Sequence, residues 1–281
     1  MRPTEVIRRS AAYLEAHGVD DPRGTVEELL MHFLQTDRAG LYTRTNGLDT
    51  TTARLFGRAL CQRCHGAPLQ YLTGEHQFMD LVLQVAPGAF VPRPETERLV
   101  EVALELLESG HAPIVVDVGT GTGAIGLAIK RYRPDARVLA TDISSDAVEV
   151  ARRNADRLSL DVEVLRGDLL HPLPRELAGR VDLLVSNPPY VTEEEYESLP
   201  EEVKAEPYEA LVGGTEVHRR LAEATVEWLR PGGWLVVEIG ADQGPMVRAL
   251  FREHLARVEV LPDLAGRDRI VKGRRAARSG V

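Results

Sequence analysis

Residues 115–123 read VVDVGTGTG and constrain the fold of this chain more than any other stretch. An apolar, β-prone run ends in an acid, and glycines then alternate with threonines ahead of GAIGLAIKRYR, which has helical period. Glycines at a strand-to-helix turn remove Cβ atoms, so backbone can touch a ligand, while the helix N-terminus offers free N–H groups. The alternation extends to both sides of this loop. A helix over 95–110 leads to strand IVVDVG, and the loop is followed by strand ARVLATDI, helix SDAVEVARRNADRL and strand VEVLRGD. Strand VDLLVS, a helix around Arg219–Trp228, strand WLVVEIG, a helix near Gly244–Leu255 and strand ARVEVLPD complete the series. Such a series predicts an α/β fold with a parallel sheet, helices on both faces and a ligand site at the carboxyl ends of the strands.

The 281 residues are enough for this domain and a smaller one. Residues 1–70 read as helices, with apolar positions such as Val6, Leu14, Leu29, Leu30 and Leu34 at helical spacing, and as a module that recognises a partner. Residues 71–94 turn to β-type alternation and Gly/Pro punctuation, which predicts a hairpin linker, and residues 95–281 hold the α/β domain. No run approaches the roughly 18–20 apolar residues of a membrane span. The N-terminus lacks a signal-peptide apolar core, so the expected location is cytoplasmic. The net charge of −9 opposes a protein built to grip a nucleic-acid backbone, and the basic segment GRDRIVKGRRAARSG is read as a solvated tail. Cys61 and Cys64 with His65 spell the C-x-x-C-H of haem attachment, a chemistry that needs export, and a zinc site would need two more ligands. Two reduced thiols and no metal are expected.

Gly121, Gly123 and Gly126 satisfy G-x-G-x-x-G, and Asp142, about 20 residues on, suits a ribose diol. A nicotinamide-dependent oxidoreductase is therefore a competing reading. Asp117 speaks against it, because an unpaired carboxylate before the first glycine repels a pyrophosphate. S-adenosylmethionine carries an ammonium and a sulfonium and no phosphate, so the acid favours it. Asp168 ends the third strand of the series, where its carboxylate suits an adenine amino group.

The fourth strand ends in Asn187-Pro188-Pro189-Tyr190 on the same edge. A planar amide or aromatic amine is a poor nucleophile, since its lone pair is delocalised. The Asn187 side-chain oxygen and the Pro188 carbonyl would accept its N–H groups and aim that lone pair at a methyl group. The prolines hold the carbonyl rigidly, and Tyr190 would pack on the flat group near the positive centre of the donor. The expected reaction is N-methyl transfer from S-adenosylmethionine, with S-adenosylhomocysteine as product.

With these residues the chain resembles the protein-(glutamine-N5) methyltransferases that modify class I peptide-chain release factors, the PrmC/HemK group. Asn187-Pro188-Pro189-Tyr190 is shared with DNA and RNA amino-methyltransferases. More discriminating are Pro68-Leu69-Gln70-Tyr71-Leu72-Thr73-Gly74, Phe90-Val91-Pro92-Arg93-Pro94-Glu95-Thr96-Glu97, Glu206-Pro207 with Ala210-Leu211, and Gly266-Arg267-Asp268-Arg269. Gly213-Gly214-Thr215-Glu216-Val217 departs from the family pattern, which has Asp-Gly-Leu after the glycines. The resemblance implies a Rossmann-like domain with a mostly parallel seven-stranded sheet, a small N-terminal helical bundle and a β-hairpin between them. It implies that the helical domain docks the release factor and that the glutamine of a Gly-Gly-Gln loop is methylated. Asp117, Gly119, Thr120, Gly121, Thr122, Gly123, Asp142, Ile143, Asp168, Leu169 and Asn187 would then hold the cofactor. Asn187, Pro188, Pro189 and Tyr190 would hold the glutamine, with Phe90 and Arg93 closing the pocket. A monomer without stable nucleic-acid or membrane binding is expected. A nucleic-acid adenine or guanine methyltransferase shares the clamp and stays open as the alternative.

Overall fold

The computed structural model describes residues 1–107 and 111–277; the end of the helix read over 95–110, the last residues of the basic segment, 278–280, and residue 281 lie outside the described residues. The chain divides into two compact units. One comprises Met1–Glu75 and Leu199–Ala205. Its helices are α1 (Pro3–Ala16), α2 (Pro22–Leu34), α3 (Arg38–Thr43), α4 (Thr50–Cys64) and α5 (Leu69–Thr73). Asp21, Asp37 and Asp49 each accept backbone N–H groups of the helix that follows, so three N-termini are capped by carboxylates. Leu14, Leu29, Leu30, Leu41 and Phe56 meet in a single apolar cluster. The buried Arg63 guanidinium is neutralised by Glu202 at 2.6 Å, from the short helix Glu201–Lys204 that returns to this unit. Cys61 and Cys64 lie in α4 as free thiols, and no group of three or more metal-ligating side chains occurs among the described residues. Tyr71–Thr73, read as the start of the hairpin, is helical and closes α5 at Gly74 with φ +73°.

The second unit holds the rest of the chain. It opens with the hairpin β1 (Glu75–Phe78) and β2 (Leu81–Gln84), followed by α6 (Pro94–Leu106), β3 (Ile114–Val118), α7 (Ala124–Tyr132), β4 (Arg137–Asp142), α8 (Ser145–Leu158), β5 (Val162–Arg166) and β6 (Val181–Ser186). Three short helices come next, α9 (Glu193–Glu197), α10 (Glu201–Lys204, in the first unit) and α11 (Tyr208–Leu211), and then α12 (Glu216–Trp228), β7 (Leu229–Glu238), α13 (Gly244–Arg252), β8 (Ala256–Pro262) and β9 (Asp268–Arg274).

The seven strands run in the order β5-β4-β3-β6-β7-β9-β8, and β9 alone is antiparallel to its neighbours. Alternate residues on the central strands serve opposite faces. Val115, Leu183 and Val236 pack with α6 and α7 residues, while Val116, Leu184 and Leu235 pack with Leu221 of α12 and Phe251 of α13. Burial on both faces explains why VDLLVS reads as a continuous apolar run.

Asp268–Arg274 of the basic segment read as a solvated tail forms strand β9, inserted between β7 and β8. Ile270 and Val271 are fully buried, one toward each face of the sheet. One charge within it is absorbed locally: Lys272 lies 5.7 Å from the Trp234 ring and pairs with Glu259 at 3.1 Å.

Candidate active site

Strand register brings the site residues to one edge. Val118 pairs with Thr141 on one side and Ser186 on the other, and Ser186 pairs with Val237. Gly119, Asp142, Asn187 and Glu238 are therefore level at the carboxyl ends of four adjacent parallel strands. The Ser186 hydroxyl donates to the Val118 carbonyl at 2.7 Å and braces the clamp strand against the glycine-loop strand.

Gly119 has φ +70°, and nothing lies within 4 Å of where a Cβ would stand. Backbone thus faces open space at the loop, as close approach of a ligand requires. Phe90 backs the loop, with its Cβ 4.0 Å from the Cβ position of Gly121. Asp117 is fully buried and organises this turn: its Oδ2 accepts the Thr120 hydroxyl at 2.5 Å and the Gly126 N–H at 2.9 Å. Its Oδ1 is buried without a hydrogen-bond partner. Burial pushes the carboxyl up to about 6, against the two hydrogen bonds that hold it down. Asp117 acts through the loop it shapes as much as through its charge. Thr122 is also buried, and its carbonyl accepts from Asn154 of α8 at 2.9 Å, which ties the turn to that helix.

Asp142 accepts the Gly121 N–H at 2.9 Å and the Ser144 N–H at 2.9 Å, one on each oxygen, so the carboxylate is fixed with lone pairs to spare. Ile143 beside it is 64% exposed, an apolar face at a polar strand end that suits a flat base. Asp168 is engaged by Arg220 at 2.5 Å, which neutralises it and holds its orientation. Leu169 takes φ +49°, unusual for a leucine, and turns the chain sharply at the end of this strand. An exposed backbone cradle, an anchored acid and an exposed apolar side chain are what a nucleoside without phosphates requires, and the residues present fit S-adenosylmethionine.

Pro188 is buried, with Asn187, Pro189 and Tyr190 half-buried around it. The Asn187 amide nitrogen donates to Thr96 Oγ1 at 3.1 Å, and Thr96 in turn donates to Glu238 Oε2 at 2.7 Å. The Tyr190 hydroxyl reaches Glu238 Oε1 at 3.4 Å, and its carbonyl accepts from Gln243 at 2.7 Å. Burial raises the Tyr190 phenol above its ordinary value, so it stays a neutral ring. Thr96, Glu238 and Gln243 were missed by the sequence reading. The available signal was a single acid closing the apolar strand WLVVEIG.

Arg93 is a support. Its guanidinium pairs with the buried Glu206 and lies 5.1 Å from the Phe90 ring, and Glu206 also accepts the Val91 N–H at 2.9 Å. Glu206→Ala leaves that buried N–H unsatisfied and should cost about 1–3 kcal/mol, read as a lower urea midpoint at unchanged slope.

An open, mostly parallel sheet, a glycine loop with an acid beyond it, and a proline-stiffened amide clamp together define an S-adenosylmethionine-dependent N-methyltransferase. The comparisons carry this further. Residues 95–265 match the family model for the methyltransferase small domain and residues 5–74 that for the PrmC N-terminal domain. The release factor glutamine methyltransferase of Moorella thermoacetica is 44% identical over 273 residues, 94% of each chain. That of Xylella fastidiosa strain 9a5c is 41% identical over 97% of this chain and 98% of its own. Among solved structures, a methyltransferase from Pyrococcus furiosus aligns with a TM-score of 0.55 at 16% identity, covering 70% of this chain and 90% of its own. A T. thermophilus 16S rRNA methyltransferase, solved with AdoMet and guanosine, aligns at 0.52 and 20% identity over 72% of this chain and 49% of its own. At that identity these two share the fold. The chain belongs to the release factor glutamine methyltransferase family.

Proposed function

We propose that this chain methylates the side-chain nitrogen of the glutamine in the Gly-Gly-Gln loop of class I release factors. The observation that carries the reading is the clamp. The Asn187 nitrogen is tied back to Thr96, while Asn187 Oδ1 and the Pro188 carbonyl make no hydrogen bond among the described residues. Two acceptors on a rigid turn match the two N–H groups of a primary amide. Bound at the glycine loop, S-adenosylmethionine supplies a methyl group made electrophilic by its sulfonium.

The remaining work falls to the protein. Asn187 and Pro188 fix the glutamine nitrogen and hold its lone pair out of the amide plane's resonance, so positioning supplies much of the rate. Tyr190 and Phe90 would bracket the flat amide and exclude water, and the Tyr190 ring would lie near the positive centre of the donor. No base is needed before transfer, because alkylation makes the nitrogen acidic enough to release its proton afterwards.

Asp142 is the ribose anchor in this reading. Asp142→Ala should weaken S-adenosylhomocysteine binding about tenfold or more through two lost charge-assisted bonds. The check is the loss of the ligand-induced rise in melting temperature, with NADH producing no rise in either protein.

The same clamp would hold an exocyclic base amine. The net charge of −9 favours a protein substrate over a nucleic-acid backbone. Among the described residues no helix is long and apolar enough to cross a membrane. In this reading the chain works as a monomer in the cytoplasm, its helical unit docks the release factor, and it forms no stable nucleic-acid complex. The test supplies labelled methyl donor with purified release factor, RNA and DNA. Label in the factor alone supports the reading, and label in either nucleic acid defeats it.

A further inference from the structure

Glu238 is 1% exposed, yet it stands at the ligand end of the sheet, level with Asn187. A buried carboxylate is costly unless its oxygens are satisfied. Here one oxygen takes the Thr96 hydroxyl at 2.7 Å and the other faces the Tyr190 hydroxyl at 3.4 Å. A threonine has one hydroxyl proton, and the carboxylate claims it. The Thr96 oxygen is left with lone pairs only, and these receive Asn187 Nδ2 at 3.1 Å. An amide whose nitrogen is tied back must turn its oxygen forward.

Taking Asn187 as the glutamine clamp, we infer that Thr96 and Glu238 are positioning residues that lock the Asn187 amide with its oxygen toward the substrate nitrogen. A flipped Asn187 would set its own N–H groups against those of the glutamine, donor against donor, and the clamp would lose one of two acceptors. The lock is directional because an ionised carboxylate cannot donate. Glu238 is faced by Glu95 and Thr96 of α6, Tyr190 of the clamp and Arg269 of β9, and its carbonyl lies 2.9 Å from His218 Nε2 of α12. Burial pushes its carboxyl up to about 7, which Thr96, Arg269 and Tyr190 oppose and Glu95 reinforces. Below that pH the protonated acid can itself donate to Thr96, whose proton is then free to turn toward Asn187 and invert the amide. The wild-type kcat should therefore fall on the acid side of neutrality.

The test uses the full chain with purified release factor and labelled S-adenosylmethionine, on Thr96→Val, Thr96→Ser and Glu238→Gln. Thr96→Val keeps the shape and removes the hydroxyl. It should lower kcat about tenfold or more with KM for the factor within about twofold, because the amide aim matters in the transition state more than in docking. Thr96→Ser should recover kcat to within about threefold of wild type and keep the acid-side fall. Thr96→Val and Glu238→Gln should both lose that fall, one through the missing relay and the other through the missing ionisation. Wild-type kcat in Thr96→Val, or a serine variant as impaired as valine with a matching drop in melting temperature, would overturn the inference in favour of plain packing. An unchanged acid-side fall in Glu238→Gln would overturn it as well, and needs only that variant to fold. Full activity of Asn187→Ala would instead remove the clamp reading beneath it, a separately visible failure.

Discussion

Asn187→Ala is expected to lower kcat by about 10²–10³-fold, the range seen when one preorganised polar group is removed from a reacting centre. Asn187 Oδ1 is one of two acceptors for the glutamine N–H groups, and its nitrogen is held at 3.1 Å from Thr96, so no neighbour can swing in to replace it. The Pro188 carbonyl remains in the variant and keeps part of the clamp, so activity should survive above background. The glycine loop and Asp142 belong to other strands, so cofactor affinity should stay within about threefold. Single-turnover methyl transfer and thermal shift with S-adenosylhomocysteine read the two quantities separately. Equal losses in both would place Asn187 in cofactor binding instead of substrate aim.

Gly213→Ala should be nearly as damaging without removing any polar group. A Cβ there would stand 2.6 Å from the Pro189 carbonyl oxygen and 2.9 Å from its ring, so the clamp or the glycine must shift. Gly213 cannot simply retreat, because its N–H donates to the Val191 carbonyl at 3.0 Å, in the same turn. A displacement on the scale of 1 Å at a reacting centre can cost about 10²-fold, and a loss of that order in kcat is expected. The neighbour supplies the control. Gly214 has φ +55° and nothing within 4 Å of its Cβ position, so Gly214→Ala meets only left-handed strain of about 1–2 kcal/mol. It should lower stability and leave kcat within about threefold. Similar kinetics in both variants would show that Gly213 does not set the clamp.

These residues also mark what could be read from the sequence. The glycine loop and Asn187-Pro188-Pro189-Tyr190 were legible because each needs a special backbone, and only glycine or proline supplies it. Asp142 and Asp168 were legible as acids closing apolar strands. Thr96 and Glu238 were not, since they are 142 residues apart in sequence and meet only because α6 packs against β7. Which helix packs on which strand is a long-range property that periodicity does not carry. β9 was hidden for a related reason: Arg269, Lys272 and Arg274 flank Ile270 and Val271, so composition argued for solvent while the sheet supplied a slot between β7 and β8. Asp117 was read for its charge alone. Its carboxylate is buried and holds Thr120 and Gly126, a role visible only in three dimensions.

The central claim is that the clamp delivers a methyl group to one glutamine nitrogen. The most direct measurement is tandem mass spectrometry of release factor after incubation with this enzyme and S-adenosylmethionine. A parallel sample carries alanine in place of the Gly-Gly-Gln glutamine. The account predicts one added methyl group, on the side chain of that glutamine, absent from the alanine factor and from wild-type factor treated with Asn187→Ala enzyme for the same short time. A methyl group on any other residue, or its persistence in the alanine factor, would contradict the account.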